Sequence, residues 1–354
     1  MHNNLVACLA RLACQTNFQV RSNLEDMVRA KSKSPSREGV SMDILDLPFV
    51  GIPSFCKFPV VNLSCLKETQ PDAAILGIPF DLGTQVRPGA RYGPRGIRDL
   101  STHYSGACNF DYDLGADFVP SDVKFVDCGD VDIIHYDADE CLKRARDAVG
   151  MILASRAMPV VLGGDHSVTI PVLEAYEGHE PFSVIQIDTH LDFVDSIAGV
   201  AKGQGSPMRR ASEMAHVKSI THIGIHGAGS SRKEDFDETL ALGNVIISRK
   251  EWLRTGLEGV LAKIVPSNRY FVTIDIDVME GALAPGAGSP EPGGATYREV
   301  SDLLAGIAGL GEIVGFDLVE VSPPYDVAGI TCLTASRLIL DFLGAIFRKR
   351  HKRA

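Results

Sequence analysis

The sequence has 354 residues, 45% hydrophobic and 23% charged, with a net charge of −10. This is a soluble globular make-up and the wrong charge for a dedicated nucleic-acid binder. At roughly 150 residues per domain the length allows two domains or one large α/β domain, and no unbroken apolar run reaches the ~18 residues that would cross a bilayer, so no membrane association is expected.

Residues Met1 to about Val20 have no acidic neighbour before Glu25, but lack a charged start and a cleavage motif. They read as an ordinary N-terminal extension rather than a targeting peptide. Residues 22–45 are polar and charged, and Lys31-Ser32-Lys33-Ser34-Pro35-Ser36 reads as a flexible linker. Extension and linker together are assigned to residues 1–47, and one α/β domain to 48–354. From about residue 72, short β-branched apolar runs alternate with helix-like stretches. The strand candidates are Ala73–Ile78, Val123–Val126, Pro159–Leu162, Phe182–Ile187, Ser219–Ile225, Val245–Ile247, Arg269–Ile274 and Glu312–Val321. Helix candidates include Ala138–Arg156 and Tyr297–Leu310. Continuous apolar strands separated by helices predict a parallel sheet covered on both faces. The basic cluster Arg348–Arg353 reads as a solvated tail. The eight cysteines (Cys8, Cys14, Cys56, Cys65, Cys108, Cys128, Cys141, Cys332) form no CxxC pair. Buried thiols in a reducing cytoplasm are therefore expected, and a cytoplasmic location with them.

Acidic and imidazole residues stand where the strand candidates end. Val160-Val161-Leu162 runs into Gly163-Gly164-Asp165-His166-Ser167, Val184-Ile185-Gln186-Ile187 into Asp188-Thr189-His190-Leu191-Asp192, and Phe271-Val272-Thr273-Ile274 into Asp275-Ile276-Asp277. Ligands bind at the carboxyl ends of strands in open α/β sheets. Alternation along an extended segment projects Asp188, His190 and Asp192 together, and likewise Asp275 and Asp277. With His166 this gives two imidazoles and four carboxylates for one crevice. Four buried carboxylates without countercharge are prohibitive, and two divalent cations would balance them. Oxygen-rich ligands with some nitrogen and no thiolate suit manganese, nickel or cobalt. Each motif alone is commonly a turn or a cap; three of them closing three buried strands are a far stronger signal.

These blocks, together with Ala284–Gly294, Gly315–Asp326 and Pro71–Arg98, resemble the ureohydrolase family, which includes arginase, agmatinase and guanidinobutyrase. The likeness spans roughly residues 48–345 and is greatest to agmatinase- and guanidinobutyrase-like members. It implies an arginase-like three-layer α/β/α fold around a parallel sheet, assembled as a homotrimer or homohexamer, with a mixed oligomer of related subunits as a further option. It implies two Mn²⁺ or Ni²⁺ ions held by His166, Asp188, His190, Asp192, Asp275 and Asp277. Hydroxide between the metals would attack a guanidino carbon, and Asp277, taken as the bridging carboxylate, would pass the proton to the departing amine. Glu320 matches the family glutamate that pairs with the guanidinium, as a carboxylate can hold two N–H groups side by side.

Three departures from the family pattern stand out. Gln204 replaces a proton-shuttling histidine and cannot titrate. Glu280-Gly281 replaces Asp-Pro, and Thr189 replaces alanine. The loop from Phe193 to Lys202 is unusually apolar and would either line the pocket or pack against a neighbouring subunit. Arg209 or Arg210 would answer a substrate carboxylate, and His226 is the best-placed of the remaining histidines (His135, His222) for a substrate contact. Arg87, Arg91 and Arg95, with Gly83, Gly89 and Gly93, would build the floor and turns of the site. The expected activity is hydrolysis of a guanidinobutyrate- or agmatine-like compound to urea and an amine. Alternatives are a hydrolase of free, N-alkylated or biguanide-type guanidines, and a weakly catalytic subunit supporting an active partner.

Overall fold

A computed structural model describes residues 47–105, 110–112 and 115–353, with side chains to Lys349. The N-terminal extension, the linker, Cys8, Cys14 and Cys108 lie outside the described residues. Ten strands follow in order: β1 Ala73–Gly77, β2 Phe110–Asp111, β3 Ala116–Asp117, β4 Phe125–Asp130, β5 Met158–Leu162, β6 Phe182–Ile187, β7 Val217–Ile225, β8 Val245–Ser248, β9 Arg269–Asp275 and β10 Glu312–Val319. Eight of them form one sheet in the order β4-β1-β5-β10-β9-β6-β7-β8. All its pairings are parallel. All eight strand candidates fall in this sheet. The antiparallel ribbon of β2 and β3 was not anticipated, because two-residue strands are too short to carry an alternation signal.

Alternation along each strand divides its side chains between two apolar layers. Ile75, Leu162, Ile274 and Leu318 meet Ile97, Leu303, Leu338 and Phe342 from the helices Gly93–Ser101, Tyr297–Leu310 and Ile330–Arg353. Ala74, Leu76, Val161 and Phe271 meet Leu142, Val149, Leu173 and Met208 from the helices Ala138–Ala154, Thr169–Glu174 and Pro207–Ser212. The result is the three-layer α/β/α arrangement expected. Both predicted helices form where the caps allow: Asp137 accepts from the Glu140 amide, and Thr296 and Glu299 make a capping box.

One expectation about the C-terminal part, the solvated basic tail, is corrected. The segment Val327–Lys349 is long and apolar enough to cross a bilayer by length and composition, yet 67% of its most apolar window is buried within the fold. Its apolarity is used by the core. Nor is the basic cluster simply solvated: Arg348 donates to the Phe118 carbonyl at 2.5 Å and Lys349 to the Ala308 carbonyl at 3.0 Å. Cys56, Cys65, Cys141 and Cys332 are free and buried, and Cys128 is free and half-buried.

One ion-pair network ties the helix Gly93–Ser101 to the sheet edge. The buried Arg98 donates to both oxygens of Asp127, at 2.8 and 3.0 Å, to Asp130 and to the Gly129 carbonyl. Asp127 also accepts from the Phe55 amide at 2.7 Å. Arg98→Met would strand the buried Asp127 charge. It is expected to cost about 3–5 kcal/mol, read as a lower midpoint in urea unfolding.

Candidate metal centre

The four strands whose ends carry the predicted chemistry, β5, β10, β9 and β6, are neighbours at the centre of the sheet. His166 follows β5, Glu320 follows β10, Asp275 and Asp277 close β9, and Asp188, His190 and Asp192 follow β6. All line or adjoin one crevice of about 350 Å³. His166 Nδ1 lies 2.8 Å from Asp192, 3.2 Å from Asp188 and 3.3 Å from Asp275. His190 Nδ1 lies 3.0 Å from Asp277 and 3.7 Å from the other oxygen of Asp188. The structure therefore brings all six predicted ligands to one crevice, and five of them form two groups, His166-Asp188-Asp192 and Asp188-His190-Asp277, either of which could hold a metal ion, with Asp275 beside His166. The carboxylate common to both is Asp188. Asp277 belongs to one, and the two oxygens of Asp188 face different histidines, one toward His166 and the other toward His190.

The donor chemistry fits cations. Thr273 bonds Asp317, so its hydroxyl oxygen is free to accept from His166 Nε2 at 3.0 Å. That leaves the Nδ1 lone pair among three carboxylates, where no protein donor meets it. Such a contact is tolerable only with a proton or a metal ion on Nδ1. The titration shifts carry the same stress. Burial and the neighbouring carboxylates raise Asp275 and Asp192, and burial lifts Asp277 to about 7. Burial alone would lower His190, but Asp277 and Asp188 push it up to about 11. Asp188 is held below its ordinary value: burial opposes this, but the hydrogen bond and charge of His166, with His190, outweigh it.

A second layer, which the sequence reading missed, fixes Asp188. Gln186 donates to Asp188 at 2.6 Å and accepts from His222 Nδ1 at 2.5 Å across the β6–β7 pairing. Burial lowers His222 to about 3, so it is a neutral support. Gln186 is hidden in an apolar run and His222 lies outside the motifs; their partnership in register appears only in the folded sheet.

Glu320 is buried beside the cluster. One oxygen accepts from the His166 amide at 2.8 Å, and the other has no partner. Its φ of 65° and the 52° of Asp192 are left-handed, each costing about 1 kcal/mol or more. Gly288 leaves room for the free Glu320 oxygen: a Cβ there would lie 2.3 Å from it. Gln204 lines the crevice, with its side-chain oxygen buried and unpartnered. From the apolar loop 193–202 only Ile197 lines it.

Other expected contacts are displaced. Arg209 stacks on Phe193 and pairs with Glu213 at 3.2 Å and Glu238 at 2.5 Å, while Arg210 pairs with Asp195 at 2.7 Å. The helix Pro207–Ser212 turns both toward surface acids, away from the crevice wall. His226 is held behind Thr189, its Nδ1 2.7 Å from the Gly224 carbonyl, and does not line the crevice. Arg91 is spent on Asp81, and Arg95 is exposed outside the wall. Arg87 does line it.

The model of the Arginase family matches residues 71–344 of the chain. The chain is similar to the mitochondrial guanidino acid hydrolase of Homo sapiens, 32% identical over 333 residues covering 90% of this chain and 89% of that protein. It is similar to the mitochondrial agmatinase of Gallus gallus, 34% identical, covering 83% of this chain and 85% of that protein. Among solved structures, the proclavaminate amidino hydrolase from Streptomyces clavuligerus matches with a TM-score of 0.75 at 32% identity, covering 85% of this chain and 99% of that one.

Two outcomes follow for metal binding. If each group holds one ion, Asp188→Ala should lose both by elemental analysis while Asp192→Ala keeps one, and Gln186→Leu should weaken affinity about 10- to 100-fold. Uptake must also displace protons from His190 and Asp277, so affinity should rise with pH. Calorimetry in buffers of different ionisation enthalpy should register the released protons.

Proposed function

The chain belongs to the arginase family, and from that premise we propose that it hydrolyses the C–N bond of a tailed guanidino compound, of guanidinobutyrate or agmatine type, to urea and an amine. The observation that carries this reading is the pair of ligand groups sharing Asp188, set beside the half-satisfied Glu320 in one crevice. We propose that the two groups hold two divalent cations, Mn²⁺ or Ni²⁺. When bound, such a pair acidifies water near neutral pH and stabilises negative charge on oxygen.

The chain's own residues do the rest. The free oxygen of Glu320 accepts from a guanidinium N–H, with its geometry fixed by the His166 amide on the other oxygen. This grip orients the guanidino carbon toward the aspartates, so binding energy is spent on positioning. Water adds to that carbon as its C–N bond to the tail breaks. Asp277, on the wall of the same crevice, takes a proton from water and returns it to the departing nitrogen. Gln204 accepts a substrate N–H at its unpartnered oxygen and carries no proton. The polar wall and the single apolar side chain from the loop support a tailed substrate over a compact one.

Turnover of the Mn²⁺- and Ni²⁺-loaded protein across guanidinobutyrate, agmatine, guanidine and a biguanide tests the reading. Tailed compounds should be hydrolysed with urea release. Activity confined to guanidine or the biguanide, or none with two metals bound, would overturn it. Gln204→His should add an ionisation to the pH–rate profile while metal content stays unchanged. An identical profile would remove position 204 from the proton path.

A further inference from the structure

We infer that Arg87 reads the far end of the substrate, and that the substrate class is a guanidino acid with a carboxylate tail. This rests on the hydrolytic reading of the site.

The segment carrying Arg87 is stapled at both ends to buried carboxylates. The Gly83 amide donates to Asp165 at 2.7 Å, and the Gly89 amide to Asp81 at 2.8 Å. Asp81 also takes the side chain of Arg91 at 2.5 Å. Between these anchors, Gln85, Val86 and Arg87 form one wall of the crevice. Arg87 lies close to the guanidinium grip. A methyl built on Gly288 would lie 2.3 Å from the free Glu320 oxygen and 3.8 Å from the Arg87 carbonyl oxygen. The Arg87 main chain therefore runs beside the grip, and its side chain extends from there to the Tyr325 ring.

Arg87 is also uncommitted. Among the described residues it is the one arginine or lysine on the crevice wall, and no carboxylate there pairs with it. Its guanidinium rests 5.4 Å from the centre of the Tyr325 ring, a contact that limits its rotamers and leaves its N–H groups available. The other cations near the site are spent: Arg91 on Asp81, Arg209 and Arg210 on surface acids. A planar guanidinium with free donors matches a carboxylate in two-point geometry. It repels the ammonium of agmatine. Glu291, also on the wall, is the group that would favour the ammonium instead.

The experiment compares guanidinobutyrate with agmatine, tails of opposite charge, on the full-length metal-loaded protein and its Arg87→Met, Arg87→Glu and Glu291→Gln variants. Kinetics are read alongside calorimetric affinity for guanidinobutyrate. The unmodified protein should prefer guanidinobutyrate in kcat/KM. Arg87→Met should cut that preference about tenfold or more, mainly through KM, with a matching loss of affinity. Arg87→Glu should move it further toward agmatine, and Glu291→Gln should not reduce it. A preference for agmatine in the unmodified protein, or a ratio and affinity unmoved by Arg87→Met, would overturn the inference. If neither compound is hydrolysed but affinity still falls in Arg87→Met, the hydrolytic reading fails and the carboxylate site stands. Hydrolysis with ratio and affinity unmoved does the reverse.

Discussion

The structure turns on the crowding of buried carboxylates at the ends of four adjacent parallel strands. Asp188, Asp192, Asp275, Asp277 and Glu320 line or adjoin one crevice, and the imidazoles of His166 and His190 stand among them. In a poorly solvated site such charges repel strongly, which is why burial lifts most of these groups toward neutrality. The crowding is a product of topology. β5 and β6 follow each other in the chain, yet β10 and β9 are inserted between them. No local segment contains the site, and it exists only once the sheet is complete.

Given that repulsion, the surroundings have to fix each ligand without adding charge. The groups behind the cluster do this largely with neutral donors. Gln186 and His222 span two strands in register to hold Asp188, and Thr273 stands between His166 and Asp317. Asp317, a further carboxylate behind the cluster, is itself lifted to about 6 by burial. The same alternation that sends Ile185 and Ile187 into the apolar layer of the long C-terminal helix turns Gln186 the other way. Packing and ligand support are therefore one pattern read on two faces.

Much of this was legible in the residue order. Each of the eight sheet strands announced itself as a β-branched run, and the ligands announced themselves by closing three of those runs. What was not legible depended on partners far away in the chain. Arg209 and Arg210 carry the right charge for a substrate carboxylate, but Glu213, Glu238 and Asp195 claim them, and those pairings appear only when the helix Pro207–Ser212 docks. His226 lies near the site but sits behind Thr189. The sharing of Asp188 follows from the separation of two histidines on different strands, which spacing within one motif cannot supply.

The strained residues bear on how specificity arises. Glu320 and Asp192 both hold left-handed backbone angles that side chains disfavour, and both are pinned by backbone bonds: Glu320 to Gly164 and Gly288, Asp192 to Met208 and Arg209. Strain of this kind persists where surrounding bonds over-determine the geometry. The charge balance explains what that geometry accomplishes. Two divalent cations would offset the four aspartates, leaving Glu320 to answer the guanidinium. The charges left uncommitted on the wall are then Arg87 and Glu291. On the proposed reading, an inner site that accepts any guanidinium would leave discrimination to the rim, where one cation and one anion would compete for the tail. Arg87 is the better placed of the two, because its segment is bound at both ends to buried Asp81 and Asp165 and its residue neighbours the grip itself.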